Sequence, residues 1–235
     1  MNEIIEGDCI ELMKQFKDNS IDLVVTDPPY FVARKEFIKD IKTFDEYYSW
    51  FESWIKELKR VLKPTGSLYV FVPVFNFAEL HMLVKKYFIG KQFISWIKPN
   101  TMVRQFQTKN YFPKTEFIGF YTVDEKEYTW NCLFKKYGVQ ESCNYFIEPV
   151  VYSYMKEGVA HSTQKPLNII EKFIYASSNE EETVLDPFCG SGSTGVACKM
   201  LNRNFIGIDI NSEYIELTKK RLEKTTPKQN VGDWF

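Results

Sequence analysis

The stretch Thr183-Val-Leu-Asp186-Pro-Phe-Cys-Gly190-Ser-Gly192-Ser-Thr-Gly195 starts apolar and ends in small residues. Its first three residues predict a buried strand over 183–185, and the run behind the glycines predicts a helix over 192–202. Between them, Gly190, Gly192 and Gly195 satisfy G-x-G-x-x-G, a spacing that permits a tight turn and close backbone approach to a ligand. The next apolar run, 204–209, ends on Asp209, 19 residues after Gly190. Such folds place there the carboxylate that holds a ribose diol. Glycines alone are equally consistent with a strand–helix turn that binds nothing. The strand, helix and acid around them favour a nucleoside-like cofactor, and a dinucleotide with its pyrophosphate at the helix N-terminus still satisfies the pattern.

The same alternation extends outward. Strands are predicted over 2–5, 21–26, 67–72, 92–97 and 116–123, and helices over 9–16, 44–62, 76–88, 166–177 and 211–223. The longest helix has capping-box spacing at Thr43 and Glu46, and Pro64 and Gly66 are expected to end it. Residues 124–162 lose any period and read as a loop-rich insertion. Alternating elements predict an α/β protein with a mostly parallel sheet and helices on both faces. The chain of 235 residues is long enough for one sizeable core. A charged fraction of 26% with 44% hydrophobic residues excludes a disordered chain.

No apolar run is long enough to cross a bilayer, and the N-terminus lacks a signal-peptide core, so a cytoplasmic protein is expected. Five scattered cysteines without a C-x-x-C pair, beside two histidines, argue against a disulfide scaffold or a metal site and for buried free thiols. The net charge of −1 neither supports nor excludes a nucleic-acid partner.

The strand over 21–26 runs into Asp27-Pro28-Pro29-Tyr30. Ligands of parallel sheets bind at this carboxyl end. Two prolines stiffen the turn and remove two backbone donors, leaving a rigid cluster of acceptors beside an aromatic ring. The Asp27 carboxylate and the Pro28 carbonyl suit the two N–H donors of an amino group on a base, with Tyr30 as a stacking face. Such acceptors localise a lone pair otherwise spread into the ring, so the amine can attack an electrophilic methyl held in line. A plain Pro-Pro turn with a packed tyrosine is the structural alternative.

With both turns in one chain, the sequence resembles the S-adenosylmethionine-dependent amino-methyltransferases of DNA. The resemblance rests on Asp27 to Tyr30, on Asp186 to Gly192, on His161-Ser-Thr-Gln164-Lys165-Pro166, and on Gly7-Asp8. The catalytic motif precedes the cofactor motif, as in the beta permutation of that family. This implies a Rossmann-like methyltransferase fold with a seven-stranded sheet and circularly permuted motifs. It also implies one domain over 1–235: a catalytic part (1–123), the insertion as a target-recognition region (124–160) and a cofactor-binding part (161–235).

By the same resemblance S-adenosylmethionine is the cofactor. Asp209 would hold its ribose and Asp8 its adenine, while Lys165 and the 188–194 turn, with Phe188, Gly190, Gly192 and Thr194, would hold its methionine part. Cys9, Gln164, Asp186 and Asn211 complete the implied pocket. Asp27 to Tyr30 would take the target base, flipped out of the duplex. Asp at the first motif position favours adenine N6 over cytosine N4. Double-stranded DNA is the expected partner, without metal or membrane, in a bacterial, archaeal or phage setting. A homodimer and a cognate restriction endonuclease are further expected partners.

Residues 98–114 contain four basic side chains, no acid, and amides interleaved with aromatics. Lys98, Asn100, Arg104, Gln105, Lys109 and Asn110 there, with Arg34 and Lys35 after the catalytic turn, are the candidate DNA contacts. Cytosine N4 or RNA as the substrate, a nicotinamide-dependent oxidoreductase and an inactive DNA-binding regulator are the competing readings. The oxidoreductase leaves the Asp27 turn without a role.

Overall fold

A computed structural model describes residues 2–31, 41–101, 111–152 and 164–228. At its centre lies β2 (Ile21–Thr26), buried at every position, as a strand covered on both faces must be. It pairs in parallel with β3 (Leu62–Val72) on one side and β7 (Thr183–Asp186) on the other. Beyond β7 follow β8 (Asn204–Asp209) and β1 (Asn2–Glu6), also parallel. Beyond β3 comes antiparallel β5 (Thr115–Thr122), then β4 (Ile89–Ile97), then β6 (Tyr145–Ile147) in parallel with β4. The order is β1-β8-β7-β2-β3-β5-β4-β6, eight strands instead of the seven expected.

The extra strand is β6, inside the stretch read as loop-rich. Three residues with only Phe146 buried carry no period of their own; pairing with Ser95, Trp96 and Ile97 makes them a strand. Two short helical pieces precede it, α4 (Leu133–Tyr137) and a 3₁₀ turn over 140–142.

Side chains of the central strands alternate between two cores. Val24, Leu68, Val70 and Val72 join the cluster under α1 (Cys9–Met13), α2 (Phe44–Val61) and α3 (Phe77–Val84). Leu23, Val25, Tyr69 and Phe71 join the cluster under α5 (Leu167–Ser177) and α6 (Ser193–Met200). Tyr69 is stacked between Phe120 and Phe173, with ring centroids 4.6 and 4.4 Å away. The closing helix α7 (Ser212–Lys224) packs on α6 and β1.

The capping box on α2 is formed: Thr43 Oγ1 accepts from the Glu46 amide, and Glu46 Oε2 accepts from the Thr43 amide. The helix ends at Val61, and the chain enters β3 at once. Pro64 and Gly66 therefore lie inside the strand, where its register with β2 shifts. The helix predicted over 76–88 is shorter because Lys86 and Tyr87 donate to carbonyls only three residues back as the chain turns into β4.

The glycine turn is fixed from α7. Thr218 Oγ1 donates to the Gly190 carbonyl at 2.9 Å. Gly192 holds a left-handed φ of +76°, and a Cβ there would lie 2.6 Å from Thr218 Cγ2. Gly192→Ala is expected to lower stability by about 1–3 kcal/mol. Urea denaturation measures it, and combining the change with Thr218→Ser should recover part of the loss.

Candidate active site

Parallel register brings the sequence motifs together. Glu6 pairs with Asp209, Asp186 with Gly207, and Val24 with Leu185. The carboxyl ends of β1, β2, β7 and β8 thus share one sheet edge, and the turns behind them wall a single cavity of about 380 Å³. Of the expected site residues, Asp8, Cys9, Asp27, Pro28, Pro29, Tyr30, Lys165, Asp186, Phe188, Gly190, Thr194 and Asp209 line it.

One group of lining residues is tied by backbone. The Gly7 amide donates to the Asp209 carbonyl at 3.0 Å, and the Gly190 amide donates to Asp209 Oδ2 at 2.9 Å. Asp209 Oδ1 accepts from the Asn211 amide. Each oxygen keeps a lone pair for a ligand hydroxyl. Asp8 Oδ1 accepts from the amides of Ile10 and Glu11, capping α1. Phe188 makes an edge contact with Trp54 and tilts against Trp50, giving this part of the cavity an apolar wall. Burial pushes the Cys9 thiol up, which keeps it a neutral apolar filler.

Asp186 joins the two motif strands. Its carboxylate accepts from Thr26 Oγ1 at 2.9 Å, from Thr194 Oγ1 at 2.7 Å and from the Phe188 amide at 3.2 Å. All three bonds come from the protein, so Asp186 shapes the turn. Burial pushes its carboxyl up to about 7, against the lowering effect of these bonds.

The other group is a buried charge network. Lys165 Nζ lies 2.6 Å from Asp27 Oδ2 and 3.1 Å from Glu116 Oε1. Lys98 Nζ lies 2.6 Å from Glu116 Oε2, and the Tyr30 hydroxyl donates to Glu116 Oε1 at 2.7 Å. The Tyr47 hydroxyl holds the Pro29 carbonyl. Asp27 Oδ1 is shielded from solvent and accepts no hydrogen bond. Burial raises the Asp27 carboxyl above its usual range, against the pull of Lys165. Burial opposes the Glu116 charge too, yet Lys165 and Lys98 hold that carboxyl down at about 2.

Glu116 did not emerge from the sequence. It lies second in a strand with no motif around it, and only its neighbours in space mark it. Trp50, Phe71, Ile210 and Tyr214 also line the cavity unannounced. Lys98, expected on DNA, lines the cavity, paired with Glu116 and over the Trp96 ring. The Asn100 amide is likewise committed, donating to the Val150 carbonyl and accepting from the Val150 amide. Asn211 caps α7, and Gln164 and Gly192 are not among the lining residues. Arg34, Lys35, Arg104, Gln105, Lys109, Asn110 and His161 lie outside the described residues. His81 packs against β5, with Nδ1 3.1 Å from the Tyr121 hydroxyl. The cysteines are not uniformly buried: Cys9, Cys189 and Cys198 are, whereas Cys132 is exposed.

The sequence model of the DNA methylase family matches residues 21–220, which span both motif turns and the network between them. The chain belongs to the DNA methylase family. A curated relative, the Type II methyltransferase M.HpaI of Haemophilus parainfluenzae, is 36% identical over 94% of this chain and 74% of its own length. The DNA adenine methyltransferase YhdJ of Escherichia coli (strain K12) is 34% identical over 94% of this chain and 82% of its own. A crystal structure of the M1.HpyAVI–SAM complex superposes with a TM-score of 0.75 at 31% identity, covering 94% of this chain and 99% of that one. The sheet of this DNA methylase is accordingly the Rossmann-like methyltransferase fold.

Because the folded Asp186 binds its proton up to about pH 7, well above the unfolded carboxyl, this group's stabilising contribution is complete below about pH 4 and is lost as pH rises through 7. Asp186→Asn removes that loss. The stability of the variant relative to wild type is expected to improve by about 1–3 kcal/mol between pH 5 and pH 8 in denaturation curves.

Proposed function

We propose that this chain is a site-specific DNA methyltransferase that moves a methyl group from S-adenosylmethionine to the N6 amino group of adenine in duplex DNA. The observation that carries the reading is Asp27 Oδ1, a buried acceptor without a donor on the cavity wall, beside the Tyr30 ring. The relatives' names support the reaction class, and the relative named for adenine supports the base.

The residues present fit the cofactor. Asp209 and Asp8 offer carboxylate oxygens to ribose hydroxyls and the adenine amine, and Phe188 and Ile210 supply apolar walls. The 190–194 turn presents the N-terminus of α6 and the Ser191 and Ser193 side chains, which suit the amino-acid carboxylate. Bound there, S-adenosylmethionine would supply an electrophilic methyl on a positively charged sulfur, its S–C bond breaking as the N–C bond forms and the electron pair staying on the departing neutral thioether.

The chain does the rest by positioning and charge. The Asp27 carboxylate and the Pro28 carbonyl accept the two N–H groups of the base, pulling the amine toward tetrahedral geometry and freeing its lone pair for the new N–C bond. Tyr30 offers its ring to the base, and its hydroxyl is anchored on Glu116. As the amine becomes cationic, Asp27, whose proton affinity burial has raised, is placed to receive the released proton. The apolar walls formed by Trp50, Phe71 and Phe188 limit the access of competing water.

The basic segments at 31–42 and 98–114 are proposed to follow the DNA backbone, and 124–160 to contribute to target choice. Among the described residues no helix is long and apolar enough to cross a membrane, and a cytoplasmic site of action is proposed with DNA as the partner. A second copy of the chain and a restriction endonuclease are the further partners proposed.

Incubating unmethylated DNA with labelled S-adenosylmethionine is expected to yield N6-methyladenine on nucleoside analysis. N4-methylcytosine would overturn the base assignment and leave the chemistry standing. Asp27→Ala is expected to cut transfer by roughly 10²–10³-fold while calorimetry finds cofactor affinity within about threefold of wild type.

A further inference from the structure

We propose that Glu116 is a positioning residue for methyl transfer: by taking the Tyr30 hydroxyl hydrogen and sharing Lys165, it leaves Asp27 Oδ1 as the open acceptor in the cavity. The inference rests on the reading of Asp27 as acceptor for the base amine. Glu116 is the second residue of β5, the strand that runs against its neighbours and lies across β2 and β3 from β7 and β8, and it lines the cavity.

The donors around Asp27 carry a fixed number of hydrogens. The Tyr30 hydroxyl has one, and it points to Glu116 Oε1 at 2.7 Å. The Lys165 ammonium has three. One meets Asp27 Oδ2 at 2.6 Å, one meets Glu116 Oε1 at 3.1 Å, and the group lies against the rings of Phe71 and Trp96. Without the Glu116 carboxylate, Asp27 is the remaining carboxylate in contact with both donors. Its second oxygen would then be occupied before a base arrives. Glu116 therefore diverts two donors from the acceptor that the reaction needs.

Charge follows the same arrangement. Two carboxylates, Asp27 and Glu116, face two ammonium groups, Lys98 from the end of β4 and Lys165 from the start of α5. Asp186, at the end of β7, is the further acid nearby, and the Asp27 charge acts on it. The Glu116 charge disfavours ionisation of Asp27, and Lys98 compensates it. Removing Glu116 or Lys98 should therefore shift Asp27 in opposite directions.

The test is kcat against pH under saturating DNA and S-adenosylmethionine for wild type, Glu116→Gln, Lys98→Met and Asp27→Ala. Glu116→Gln is expected to lower kcat at least about tenfold with KM for DNA little changed, and to move the acid limb to lower pH by about half a unit or more. Lys98→Met is expected to move that limb to higher pH. A structural role alone would lower activity without moving the limbs apart. Limbs that stay at the wild-type pH in both variants, or move in the same direction, overturn the inference. Should Glu116→Gln fail to fold, Lys98→Met decides alone: an upward shift supports the proposal, and an unmoved or lowered limb overturns it. An active Asp27→Ala variant overturns the acceptor reading itself, whereas an inactive Asp27→Ala beside unmoved limbs in Glu116→Gln and Lys98→Met counts against Glu116 alone.

Discussion

Two strands far apart in the chain, β2 and β7, lie side by side and parallel, with Leu23 opposite Val184 and Val24 opposite Leu185. The site depends on that pairing. Parallel strands end at the same sheet edge, so the rigid acceptor turn after β2 and the glycine turn after β7 open into one cavity. Side chains reinforce the backbone. Asp22 Oδ2 accepts from the Thr183 amide at one end, and Thr26 Oγ1 donates to Asp186 at the other. The pairing is a long-range contact whose closure entropy is offset by the two cores on either face of the sheet. A methyl donor and a methyl acceptor can be held in line only because two turns 160 residues apart are fixed relative to each other.

The charge network is the second constraint. Isolated charges in such a setting cost several kcal/mol each. Here each carboxylate has an ammonium partner, and each ammonium has a carboxylate, so the desolvated set is neutral as a group. Three different segments contribute: the β2 turn, the β4–β5 pair and the residue before α5. Their joint satisfaction specifies how the antiparallel half of the sheet docks against the parallel half. Lys172, fully buried in α5 and paired with Glu141, ties the insertion to the same helix that Lys165 precedes.

Much of this was legible in advance, residue by residue. The strands at 21–26 and 67–72, the capping pair at Thr43 and Glu46 and the glycine spacing at 190–195 are local patterns, and each formed close to where it was read. What escaped reading was non-local. Tyr145–Ile147 is a strand because β4 offers an edge. Glu116 is a site residue because Lys98, Lys165 and Tyr30 converge on it. Lys98 read as a DNA contact because the stretch that follows it is basic and amide-rich, while in space its ammonium meets Glu116, 18 residues further on.

The sequence by itself determined the element types, the motif turns and the chemistry those turns are built for, because propensity, capping and backbone stiffness act over a few residues. It determined that Asp27 ends a buried strand and that two prolines hold its turn rigid. Only the tertiary structure decided which oxygen of Asp27 stays open, which lysine pairs with it and which acid shares that lysine. Those outcomes depend on distances between segments separated by as many as 138 residues. The strength of a charge contact is set by separation and burial in space, which no local pattern in the chain encodes.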